Sequence, residues 1–314
     1  MKYKPYKLKP GDTIGLICPA FKNPDATSTE RAVEYLNKKG YKVIVGESCY
    51  ASEGYLAGSD HSRARDVEKM FADEEVTAII CMRGGYGASR MVDLIDYNII
   101  KNHPKTFVGY SDITVLLNAI YRKAKVPTVH GMVGFALGTE KFAGLSEDDF
   151  WNFMTKDQKN RILKDPLQKA KTLIGGTCCG EIVGGNLSLL ATMIASDYSA
   201  DFKDKIIFIE EVDEEPYKLD RYFSTLRLSG KLAEAKGFIF GYFSDCEPIE
   251  KRKGTQTYLD LIKEYFSPYQ KPIIYDFPSG HSYPFINIPL GIEARLDADE
   301  KSITILEEFY NKKR

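Results

Sequence analysis

The chain has 314 residues, 43% of them hydrophobic and 28% charged, which is enough for a large core and about two domains. A formal net charge of −1 gives no electrostatic basis for binding nucleic acid or an anionic membrane. No apolar run approaches the roughly 20 residues that span a bilayer, and residues 1–5 lead into a strand pattern with no signal-peptide apolar region. A cytoplasmic protein is expected. The six cysteines, Cys18, Cys49, Cys81, Cys178, Cys179 and Cys246, are scattered without C-x-x-C spacing. They read as reduced thiols with no zinc site, Cys18 and Cys81 as small buried hydrophobes.

Residues 13–18 form a nearly continuous apolar run, the pattern of a strand buried in a parallel sheet. A helix is predicted over 28–39, closed by Gly40, then a strand over 41–45. Ser59 is placed to cap a charged helix running to about residue 72. A third strand covers 77–82 and runs into Arg83-Gly84-Gly85-Tyr86-Gly87, with a helix predicted over 88–94. A fourth strand, 106–109, ends in Gly109. Ser111 follows, and then a helical pattern over 112–121 with Ile113, Leu116, Leu117 and Ile120 on one face. This alternation predicts a parallel sheet covered on both faces, a Rossmann/flavodoxin-like α/β domain.

The pattern changes near residue 140. Ser146-Glu147-Asp148-Asp149 resembles a capping box before a short helix bearing Phe150, Trp151 and Phe153. Residues 157–171 are polar and lysine-rich. The expected division is an N-terminal α/β domain over 1–156, a linker over 157–174 and a smaller mixed α/β C-terminal domain over 175–314. Strands are predicted there at 181–183, 206–209, 237–242, 273–275 and 303–306, and helices at 187–195, 217–228 and 258–265.

Four places carry residues suited to chemistry. A serine at a sharp strand-to-helix turn has the placement of a nucleophile elbow, near a helix N-terminus that stabilises a developing oxyanion. Ser111 also reads as a simple helix cap, and Ile113 stands where G-x-S-x-G has its second glycine. The loop 83–87 lets backbone N–H groups turn toward a ligand; it lacks dinucleotide and P-loop spacing, and reads equally as an oxyanion donor or a plain turn. Of the four histidines, His61 lies on a charged helix and His103 in a polar loop. His130 ends a short strand, with a structural or substrate-contact role. His281 sits in a loop flanked by breakers, where functional histidines concentrate. The acid of a serine–histidine pair is offered by Glu210 or its acidic neighbours, directly after the apolar run 206–209.

Taken together these residues resemble the LD-carboxypeptidase family, serine peptidases of the murein tetrapeptide carboxypeptidase type. The resemblance spans nearly the whole chain: Leu8-Lys9-Pro10-Gly11-Asp12; Tyr55-Leu56-Ala57-Gly58-Ser59-Asp60 with Arg63 and Asp66; Arg83 to Gly87; Gly109 to Thr114; His130-Gly131; Gly184-Gly185-Asn186-Leu187; Ile209-Glu210-Glu211 with Pro216-Tyr217 and Asp220-Arg221; and Gly280-His281 with Pro289-Leu290-Gly291. It implies Ser111 as nucleophile, Glu210 as orienting acid and His281 as base, the serine from the first domain and the other two from the second. The oxyanion donors correspond to the backbone N–H groups of Gly85 and Asp112. Two departures stand out. Glu210-Glu211 replaces the usual Glu-Asp, and Met132 replaces a proline two residues after the first histidine.

The resemblance implies removal of the terminal D-alanine from peptidoglycan tetrapeptides, at the L,D bond after the diamino acid, in cell-wall recycling. It implies no cofactor and no metal, a homodimer, and a small peptidoglycan peptide as the partner. Arg83, Tyr86 and His130 are the candidate substrate contacts, Arg83 for a free carboxylate. Three alternatives stand beside this. A microcin-immunity-type hydrolase of acyl-nucleotide conjugates would need a tryptophan-bearing loop to stack a base, and Trp151 is the only tryptophan. A non-catalytic small-molecule binding protein leaves Ser111, Glu210 and His281 unexplained. An α/β-hydrolase shares the triad order but not the oxyanion motif.

Overall fold

The computed structural model describes residues 2–25, 27–249, 254 and 256–312. The chain divides into two compact units. The first comprises Met1–Gln158, Phe285–Gly291 and Glu308–Arg314; the second comprises Lys159–Pro284 and Ile292–Glu307.

The first unit alternates strands and helices: β1 (Thr13–Ile17), α1 (Thr27–Lys38), β2 (Lys42–Val45), α2 (Asp60–Ala72), β3 (Val76–Cys81), α3 (Tyr97–Asn102), β4 (Thr106–Gly109), α4 (Thr114–Ala124), β5 (Thr128–His130) and α5 (Leu145–Thr155). The strands lie in the order β5-β4-β3-β1-β2, all parallel. This is the flavodoxin-like arrangement. Every residue of β1 and β3 is buried, which is why both read as unbroken apolar runs. Cys18 and Cys81 are fully buried there, and burial pushes the Cys18 thiol up to about 12. Ser59 caps α2, its side chain accepting the Ser62 N–H at 3.1 Å. The expected helix over 88–94 is instead two 3-10 turns, Ala88–Arg90 and Val92–Leu94, separated at Met91 with φ −122.

The second unit begins where a linker was expected. Residues 157–174 carry β6 (Ile162–Lys164) and β7 (Lys171–Ile174), both in its sheet. Both are edge strands whose side chains are largely exposed, so their polar, lysine-rich sequence hid them. Then come β8 (Thr177–Asn186), α6 (Leu187–Met193), β9 (Ile206–Val212), α7 (Pro216–Leu228), α8 (Lys231–Glu234), β10 (Gly237–Ser244), α9 (Tyr258–Phe266) and β11 (Ile273–Tyr275). Phe266 of α9 packs 4.8 Å from the rings of Phe238 and Phe240 and 5.1 Å from Phe223 of α7. Each such fully buried phenylalanine contributes roughly 1.5–3 kcal/mol.

The chain then returns to the first unit, a crossing that the expected range 175–314 did not contain. β12 (Ile288–Leu290) pairs antiparallel with β5. The return is fixed by α5. Ser146 lies inside that helix, behind Gly144 at its cap position, and its hydroxyl accepts the Phe285 N–H at 2.9 Å. Asp149 accepts from the Asn287 backbone and side-chain amides at 2.9 and 2.7 Å. The acidic cluster expected as a capping box therefore anchors residues 285–287. Finally β13 (Glu293–Asp297) and β14 (Ser302–Ile305) complete a mixed sheet in the order β6-β14-β13-β8-β9-β10-β11-β7.

Candidate active site

β4 carries Ser111 to the carboxyl edge of the first sheet. Ser111 adopts φ +63, a left-handed conformation that costs a serine roughly 1–2 kcal/mol. Residues 111–113 form a 3-10 turn and α4 starts at Thr114, with Ile113 at the cap position and no side-chain cap bond. Ser111 is thus not the helix cap; it occupies a strained strand-to-helix turn, the geometry of a nucleophile elbow. Gly84 lies directly against it. A Cβ there would come within 2.7 Å of Ser111 Cβ and 3.1 Å of the Asp112 nitrogen, an approach only glycine allows. The Gly84 carbonyl accepts the Phe21 N–H at 3.3 Å. Gly84 follows β3 and Phe21 follows β1, so both loops rise from the topological switch point of the sheet, where such folds place their ligands.

The Asp112 carboxylate is buried behind the serine. Oδ2 accepts the Ala88 N–H at 2.8 Å, and Oδ1 has no hydrogen-bond partner among the described residues. Burial pushes this carboxyl up to about 6, against the Ala88 bond and the nearby Arg63 charge.

In the second unit β9 is a central strand, parallel to both neighbours. Near its carboxyl end Glu210 is fully buried and meets His281, with Oε2 2.7 Å from Nδ1. Gly280 makes this possible. It has φ +125, and a Cβ there would stand 3.0 Å from Glu210 Oε2. Burial lowers the affinity of His281 for a proton, but the Glu210 charge and hydrogen bond, with the Glu211 charge, outweigh it and raise its pKa above the ordinary 6.5. Glu211 turns the other way. It accepts from Asn186 Nδ2 at 2.6 Å, the Ser188 N–H at 2.8 Å and the Val212 N–H at 3.0 Å, and so holds the N-terminus of α6. Burial, with the Glu210 charge, pushes Glu211 up to about 7.

The first unit thus holds a strained serine against a glycine loop, and the second a histidine aligned by a buried carboxylate. The sequence matches the LD-carboxypeptidase N-terminal domain over residues 14–131 and the LD-carboxypeptidase C-terminal domain over residues 179–296. The chain belongs to the LD-carboxypeptidase family. A Bacillus subtilis relative named "Probable murein peptide carboxypeptidase" is 35% identical over 306 residues, 97% of this chain and 95% of the relative. The Escherichia coli "Microcin C7 self-immunity protein MccF" is 26% identical over 340 residues, 96% of this chain and 95% of MccF. A solved structure of MccF in complex with glutamyl sulfamoyl guanosine has a TM-score of 0.90 at 24% identity, covering 98% of this chain and 100% of that one; at that identity it bears on the fold.

In this LD-carboxypeptidase family member the other candidate residues divide. Arg83 donates from Nη1 to the Lys22 carbonyl at 3.1 Å and lies 5.7 Å over the Phe21 ring. Tyr86 is 44% exposed, 6.0 Å from the exposed Tyr55, whose ring is 5.5 Å from Phe21. Both remain at the rim of the glycine loop. His130 is fully buried, stacked 5.6 Å from Phe285 and edge-on to Tyr110 at 5.9 Å. That packing is what the structural one of its two expected roles requires. Among the described residues no His, Cys, Asp and Glu cluster has the makings of a metal site, and no helix is long and apolar enough to cross a membrane. Two residues gain a place that the sequence left without a role of their own: Arg63, quoted only within the family resemblance, and Glu211, present there only as a neighbour of Glu210. Arg63 sits on the helix read as charged; its spacing from Val67 and Met70 puts it on the buried face.

Proposed function

We propose that this protein is a serine carboxypeptidase that removes the terminal D-alanine from a peptidoglycan tetrapeptide by cleaving the L,D amide bond after the diamino acid. The observation that carries the chemistry is the 2.7 Å contact between His281 Nδ1 and the fully buried Glu210. A carboxylate there fixes the tautomer with its proton on Nδ1, and leaves Nε2 as the nitrogen that takes a proton. The strained Ser111 supports the same reading. Family membership and the name of the Bacillus subtilis relative support the substrate class.

In the proposed reaction His281 accepts the Ser111 hydroxyl proton as Oγ attacks the carbonyl carbon. The tetrahedral anion is met by the backbone N–H groups of Gly85 and Asp112. Collapse breaks the C–N bond as the imidazolium returns the proton to the nitrogen of D-alanine. Water, deprotonated by His281, then attacks the acyl-enzyme and releases the shortened peptide and free Ser111.

The rival substrate is the kind of acyl-nucleotide conjugate bound in the MccF structure. The single tryptophan argues against it. Trp151 stacks on Tyr41 at 5.1 Å and 2°, and donates its indole N–H to the Tyr35 hydroxyl at 2.7 Å, so it is committed to packing within the first unit. The test is mass spectrometry of L-Ala-D-Glu-diaminopimelate-D-Ala incubated with the protein and with Ser111→Ala. Loss of one alanine with the unaltered protein alone is expected. An intact tetrapeptide, with a lysine-containing analogue also intact and a glutamyl sulfamoyl nucleoside cleaved, would assign the protein to the rival chemistry.

A further inference from the structure

The glycine loop after β3 has little of its own to hold it. Gly85 and Tyr86 are exposed, and Gly85 and Gly87 take φ +107 and +128. Upstream it is tied by the 3.3 Å bond from Phe21 to the Gly84 carbonyl. Downstream, one peptide group is gripped at both ends. The Gly87 carbonyl accepts from Arg63 Nη1 at 2.9 Å, and the Ala88 N–H of the same peptide donates to Asp112 Oδ2 at 2.8 Å. A cation at the carbonyl and a carboxylate at the N–H both stabilise the peptide dipole in one orientation, and in a dry interior the two bonds polarise each other. Arg63 is fully buried and is itself held, through Nη1 to the Pro19 carbonyl at 2.7 Å, Nε to the Gly58 carbonyl at 3.3 Å, and Nη2 to Asp60.

We infer that Arg63 and Asp112 are a pair of positioning residues: together they clamp the Gly87–Ala88 peptide and so fix the glycine loop in register with Ser111. The inference rests on the proposed reading of Ser111 and Gly85, and extends it from backbone donors to the side chains that place them. Asp112 is the link, because it is covalently next to the serine and hydrogen-bonded to the loop. Any shift of the loop relative to Ser111 must stretch the Asp112–Ala88 bond.

The test compares the unaltered full chain with Asp112→Ala and Asp112→Asn by two readouts, amide hydrogen exchange of residues 84–88 and steady-state release of D-alanine. In Asp112→Ala the exchange of this segment rises roughly tenfold or more while β1, β3 and β4 keep their protection. Turnover, kcat, falls about 100-fold with KM within about threefold, because a displaced oxyanion donor is felt in the transition state. Asp112→Asn, whose amide oxygen still accepts from Ala88, recovers the protection and most of the lost kcat. Unchanged exchange at 84–88 in Asp112→Ala overturns the clamp, and so does a loss of kcat/KM carried by KM alone. If Ser111→Ala releases D-alanine as fast as the unaltered protein, the catalytic reading fails instead, and the exchange measurement still decides whether the clamp exists.

Discussion

Replacing Glu210 by glutamine tests the acid–base pair most directly. The fully buried carboxylate lies 2.7 Å from His281 Nδ1. In the proposed transition state that ring becomes an imidazolium. Opposite charges about 4 Å apart interact by roughly 4 kcal/mol at an effective dielectric of about 20, which is close to three decades of rate at about 1.36 kcal/mol per tenfold. The amide introduced by Glu210→Gln also offers an N–H where the imidazole presents its own, which favours the wrong tautomer and takes the expected loss of kcat to about 10³–10⁴. The pH profile carries a second, independent sign. His281 must be neutral to accept the serine proton, so activity rises with pH through its pKa, which the glutamates hold above 6.5. With position 210 neutral, burial is opposed by Glu211 alone and the pKa falls. The acid limb of kcat/KM in E210Q therefore moves to lower pH while the plateau drops. Initial rates of D-alanine release between pH 5 and 9 read both. A plateau within about tenfold of the unaltered protein, or an acid limb displaced upward, refutes the pairing.

Two further substitutions probe the first unit. Gly84→Ala puts a methyl group within 2.7 Å of Ser111 Cβ, so the elbow or the loop must shift; labelling of Ser111 by a fluorophosphonate should slow about 100-fold with a far smaller change in melting temperature, and an unchanged labelling rate would contradict the close approach. Asp112→Asn should alter the pH dependence of stability. A carboxyl whose pKa rises from 3.8 to about 6 on folding costs nothing below 3.8, and its penalty grows until pH passes about 6. The full penalty is roughly 3 kcal/mol, so relative to the unaltered chain D112N should gain about that much between pH 4 and pH 7 in urea denaturation, whereas parallel curves at both pH values would sink the argument.

Much of the fold was legible because burial and sequence pattern coincide. β1, β3 and the buried part of β9 are apolar at nearly every position because parallel strands in mid-sheet have no polar face. β6, β7, β12 and β13 were not read as strands, and the first three show why. The first two are exposed edges with polar composition. The third contains Pro289 and is three residues long, and its place is set by bonds from Ser146 and Asp149, about 140 positions earlier. The candidate site shows the same division. Ser111 stood out through its local turn, and Glu210 and His281 through their positions after a strand and in a breaker-flanked loop. Choosing Glu210 among its acidic neighbours needed the family resemblance. Arg63 and the Asp112 side chain act through partners 24 positions away, and no local pattern reports such a contact.

The buried charges also separate what favours folding from what the proposed chemistry needs. Asp112 and Glu211 have raised pKa values, so the stability they leave intact at low pH is lost as pH rises from their ordinary values through about 6 and about 7. His281 has the same sign: its contribution is complete below 6.5 and disappears as pH climbs through its raised folded pKa. That same climb makes the imidazole neutral, the state the proposed reaction needs in its base. Asp112 and Glu211 therefore weaken the fold mostly before the imidazole becomes neutral, and His281 withdraws its own contribution as the proposed site becomes competent. Burial that only served the fold would favour neutral side chains at Asp112 and Glu211. Keeping ionisable groups at these places is intelligible from what each does there: Asp112 accepts from the loop beside Ser111, Glu211 accepts from the N-terminus of α6 behind Glu210, and His281 takes and returns a proton in the proposed reaction.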